Sequence, residues 1–71
     1  MLRGVSMKNR RGQTMYERLV EEFEFVKREK NEAQRKVLAY KALGAADIAI
    51  EYGLITYKEW EKFVKTFFNI I

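Results

Sequence analysis

The pattern Thr-x-x-Glu occurs twice in this chain, as Thr14-Met15-Tyr16-Glu17 and as Thr56-Tyr57-Lys58-Glu59, and each copy opens a run of apolar residues at helical spacing. In this capping box the threonine hydroxyl accepts from the glutamate N–H while the glutamate carboxylate accepts from the threonine N–H, so two of the orphan amides of a helix start are satisfied. Both ends of the foldable chain are therefore committed to helix. The first stripe is Met15, Tyr16, Leu19, Val20, Phe23 and Val26, with Phe25 lying off it; the last is Trp60, Phe63, Val64, Phe67 and Phe68. Steps of three and four give each helix one apolar side.

Between these stripes, Lys27 to Glu32 are all polar and cover every face of a helix, which breaks the first stripe. The spacing predicts a tight connection near Lys30 and Asn31, with Asn31 capping a second helix and Gln34 at the reciprocal box position. The other arrangement is one long helix over 15–52, supported by a three-four spacing through Leu19, Phe23, Val26, Lys30, Ala33, Val37 and Tyr40. From Asn31 to Tyr52 the apolar residues spread over more than one face, as expected of a central helix. Gly44, costly inside a helix, implies close approach of a neighbour at that point. Gly53 follows where the periodicity ends and suits the left-handed conformation that closes a helix. The expected helices are about 15–29, 32–52 and 57–68. They form an all-α, small three-helix bundle, or a helical hairpin plus a short C-terminal helix, in one domain over 14–71 behind a flexible basic arm over 1–13.

Almost every residue of Gly53-Leu54-Ile55-Thr56-Tyr57-Lys58-Glu59-Trp60 has a place in such a corner. Ile55 before the cap and Trp60 after it are set to form a hydrophobic staple. If Trp60 is buried, its removal costs about 3–5 kcal/mol. The pattern Gly-Leu-Ile-Thr-x-x-Glu-aromatic resembles the helix-to-helix corner of SHOCT-type bacterial domains and of small helical proteins from bacteria and their phages. The likeness spans these eight residues of the 71 and implies a corner, with no activity carried over.

Composition narrows the function. A chain of 71 residues buries only about 60% of the surface its unfolded form exposes, so small domains turn to disulfides, metals or oligomerisation for stability. With no cysteine and no histidine, disulfides are excluded and the common zinc ligand sets cannot form; self-association is what remains. Catalysis is not expected, because Ser6 in the arm is the lone serine, Asp47 the lone aspartate, and no glycine-rich phosphate loop is present. No cofactor, metal, membrane or small-molecule partner is expected, and a cytoplasmic setting fits the lack of cysteine.

The net charge of +4 resides in the arm, where Arg3, Lys8, Arg10 and Arg11 meet no acid; the other ten of the fourteen bases balance all ten acids. These four are the candidate nucleic-acid contacts of a DNA-binding alternative. In that alternative Ala49 and Gly53 stand as in a helix-turn-helix. Glu59 and Lys62 then fall where core residues belong, and the third helix offers Lys58, Lys62 and Lys65 against Glu59 and Glu61, which is too balanced for a recognition helix. The preferred expectation is a non-enzymatic protein-protein interaction or regulatory module. Its partner is another copy, as a dimer, or a different protein, and its candidate surface is Phe25, Tyr40, Phe67, Phe68, Ile70 and Ile71.

Overall fold

The computed structural model describes residues 13–71. The expected arm, with Arg3, Lys8, Arg10 and Arg11, lies outside the described residues apart from Gln13. Three helices are present, α1 (Met15–Lys27), α2 (Glu32–Glu51) and α3 (Tyr57–Ile70), with no strand among the described residues. The fold is small and all-α.

Both capping boxes form. The Thr14 N–H donates to Glu17 Oε1 (3.0 Å) and the Glu17 N–H to the Thr14 hydroxyl (3.1 Å), and Thr56 and Glu59 make the same pair of bonds at 2.8 and 3.1 Å. The long single helix does not form. The Arg28 and Glu29 N–H groups donate to Phe25 O (3.1 Å) and Val26 O (3.0 Å), three residues back, which tightens the chain out of the α-helix. Helix α1 therefore stops at Lys27 instead of near residue 29.

Asn31 caps α2 through Oδ1, which accepts from the Gln34 N–H at 2.8 Å. The expected reciprocal bond from Gln34 is replaced by another: the Asn31 N–H donates to Glu29 Oε2 at 3.2 Å. Arg35 Nη1 also donates to Glu29 O at 2.9 Å, so Glu29 fixes the connection from both its ends. At the far end of α2, Gly53 has φ +73°. Its N–H donates to Ile50 O (3.0 Å) and the Leu54 N–H donates to Ala49 O (2.8 Å), the paired bonds of a Schellman stop.

Each helix touches the other two. The core comprises Leu19, Phe23 and Val26 from α1, Ala39, Ala42, Ala46 and Ala49 from α2, Ile55 from the corner, and Phe63 and Phe67 from α3. All four buried residues of α2 are alanine. The small inner face of α2 leaves the volume to large side chains from its neighbours: the Phe23 and Phe63 rings stack at 5.2 Å and 11°, and Tyr16 tilts onto Phe63 at 5.4 Å. Small-against-large interdigitation of this kind is how a close-packed interior is filled.

Two expectations about packing are corrected. A Cβ built on Gly44 meets nothing within 4 Å, so no neighbour within the described chain requires a glycine there. Trp60 is half-buried rather than buried: its ring leans on the core edge and its Nε1–H donates to Asp47 Oδ1 at 2.8 Å, an exposed tie between α3 and α2. The fully buried large side chains are Phe23 and Val26. Helix α3 extends to Ile70, beyond the expected end near Phe68, because Ile70 still packs against the core.

Candidate interaction surface

The fully buried residues of α2 are all alanine, and its larger apolar residues divide between the core margin, where Leu38, Leu43 and Ile50 are partly buried, and the outer surface. Val37 (54% exposed), Tyr40 (61%) and Ile48 (56%) point outward, with Tyr52 at its C-cap (75%). At 3.6 residues per turn, Val37, Tyr40, Lys41, Gly44, Ile48 and Glu51 fall on the side away from Ala42 and Ala46. Lys41 and Glu51 are exposed and have no ion-pair partner among the described residues, where Lys27–Glu24 (3.1 Å) is the one ion pair.

The expected surface residues divide into three groups. Tyr40 on α2 and Phe68 on α3 are exposed and joined through Phe67, whose ring makes edge contacts with Tyr40 (5.0 Å, 70°) and with Phe68 (5.4 Å, 72°). Phe67 itself is a core residue, only 3% exposed. It lies four residues after Phe63 on the inner stripe of α3, and its assignment to the surface is corrected accordingly. Phe25 is exposed on α1 among Arg18, Glu21 and Glu22, apart from the aromatic chain. Ile70 is half-buried beside Lys27, Arg35 and Asn69, and Ile71 is exposed.

Val37, Ile48, Tyr52, Leu54 and Tyr57 are exposed as well and were not among the expected surface residues. The signal that identifies the α2 members is the alanine set: once Ala39, Ala42, Ala46 and Ala49 are taken as the inner face, Leu38, Leu43 and Ile50 fall at its margins and Val37 and Ile48 face away. Tyr57 rests on Trp60 (5.5 Å) at the start of α3, so this corner is aromatic on its outer side too.

The remaining surface offers less. A shallow groove between α1 and α3 is lined by Tyr16, Val20, Lys62, Lys65 and Thr66, with Lys62 Nζ 5.9 Å from the Tyr16 ring centroid. That cation–π contact occupies Lys62. The outward side of α3 mixes Lys58, Lys65 and Glu61 with Tyr57 and Phe68. Among the described residues no helix is long and apolar enough to cross a membrane, and no three metal-ligating side chains converge. The chain matches no protein-family model, no curated protein and no solved structure, and the likeness of Gly53–Trp60 to a known corner stays local.

Proposed function

We propose that this chain is a small non-enzymatic interaction module that associates with a second copy of itself through an apolar helix surface. The supporting observation is the outer face of α2, where Val37, Tyr40 and Ile48 are each more than half exposed although Leu38, Leu43 and Ile50 of the same helix pack against the core. Burying a side chain of this size stabilises by roughly 1.5–3 kcal/mol, a large contribution for a domain whose core is small. Two-fold pairs are the commonest way such a surface is covered. The absence of cysteine suits the reducing cytoplasm, where we place it. Light scattering over a dilution series checks the reading: the mass rises toward twice 8.5 kDa with concentration. A single-chain mass at ~1 mM, where even weak specific pairs form, contradicts it.

The succession of α2, a Schellman turn and α3 supports a second reading, a divergent helix-turn-helix aided by the basic arm. Titration with duplex DNA at two salt concentrations tests it. Binding at low salt that weakens steeply with added salt favours it, and no binding at low salt removes it.

A further inference from the structure

Resting on the self-association reading above, we propose that the second copy docks antiparallel along the outer face of α2. The two-fold axis crosses that face level with Ala46, midway between Gly44 and Ile48. The outer residues of α2 are complementary about that level. Gly44 and Ile48 lie equally far on either side of it, as do Lys41 and Glu51, and Tyr40 and Tyr52. A two-fold axis there pairs each of these six residues with its counterpart in the other copy, as in an isologous contact, while Val37 lies beyond the paired stretch.

Each pairing has a chemical sense. The space over Gly44 is open, since a Cβ there meets nothing within 4 Å, and Ile48 of the second copy supplies a side chain to fill it. The notch also lets the two helix axes approach closely. Lys41 comes level with Glu51 of the second copy, so two opposite charges meet across the seam at each end. Tyr40 and Tyr52 flank the seam and exclude water from it. Parallel docking on the same face would set Lys41 against Lys41 and Glu51 against Glu51 and leave both notches unfilled. Charge and shape therefore select the same orientation.

Sedimentation equilibrium of the full chain and of single variants tests the proposal. The substituted side chains are exposed or have open space above them, so the variants keep the helical circular dichroism of the parent. Ile48→Glu removes both filled notches and raises the dissociation constant about a hundredfold. Gly44→Gln closes the notches and weakens the dimer about tenfold or more. Lys41→Glu and Glu51→Lys each weaken it about fivefold, and the double variant Lys41→Glu/Glu51→Lys regains the parent value. A dimer left within about twofold by Ile48→Glu and Gly44→Gln, or one broken by Phe68→Glu instead, overturns this interface while the self-association reading stands. A parent chain that remains a monomer throughout overturns both.

Discussion

Gly44 lies inside α2 and Gly53 just past its C-cap, and the two answer to opposite constraints. At Gly53 the backbone has φ +73°, where a side chain clashes with its own carbonyl, and Gly53→Ala is expected to lower stability by about 1–2 kcal/mol. At Gly44 the backbone is helical and the space above it empty, so Gly44→Ala relieves the entropic cost of glycine and is expected to raise monomer stability by about 0.5–1 kcal/mol. For a domain of this size that amounts to melting shifts of roughly 4–8 °C per kcal/mol, read on dilute samples. Burial makes a second distinction between aromatic residues. Phe23 is 2% exposed and stacked on Phe63, so Phe23→Ala is expected to cost about 3–5 kcal/mol and to abolish the cooperative melt. Trp60 is half-buried, and Trp60→Ala loses its bond to Asp47 and part of its contact area, leaving a cooperative but lower transition. A cooperative melt of Phe23→Ala near the parent temperature would refute the placement of the core.

At the level of the helices, starts and stops were legible because capping chemistry is local. Thr14 with Glu17, Thr56 with Glu59, and Gly53 after Tyr52 can each be read from neighbours in the chain, and each forms as expected. The Glu29 bonds to Asn31 and Arg35 were not legible, since several polar residues compete to satisfy the same turn. The Trp60–Asp47 bond was also beyond reach, because it depends on how α3 lies against α2. The faces of α2 posed the harder problem. With apolar residues all round, periodicity alone does not say which side is inner, and only the packing of Phe23, Phe63 and Phe67 against alanines decides it. The same ambiguity left Val37 and Ile48 out of the expected surface, whereas Phe67 was legible as core from its place four residues after Phe63 on the stripe of α3. Asn31 gives the element-scale prediction. Its Oδ1 holds the Gln34 N–H, so Asn31→Ala is expected to cost about 1 kcal/mol and Asn31→Asp only a few tenths, measured by urea denaturation. Equal losses in the two variants would show that the cap contributes little to keeping α1 and α2 apart.

For the whole molecule, the Cα atoms span 40 × 27 × 13 Å, so most side chains lie near the surface. If the chain pairs as proposed, folding and association are coupled, because a partner that binds only the folded chain raises its apparent stability by mass action. Raising the concentration from well below the dissociation constant to about a hundredfold above it is expected to lift the melting temperature by roughly 5–10 °C. A monomer melts at the same temperature at every concentration. Gly44→Ala sharpens the test, because its two effects have opposite signs: it strengthens the isolated helix and begins to fill the notch that Ile48 of the second copy occupies. On dilute samples the variant should melt above the parent, and on concentrated samples the gap should shrink or reverse. A constant gap across the whole range would mean that nothing docks over Gly44, whichever way the chain associates.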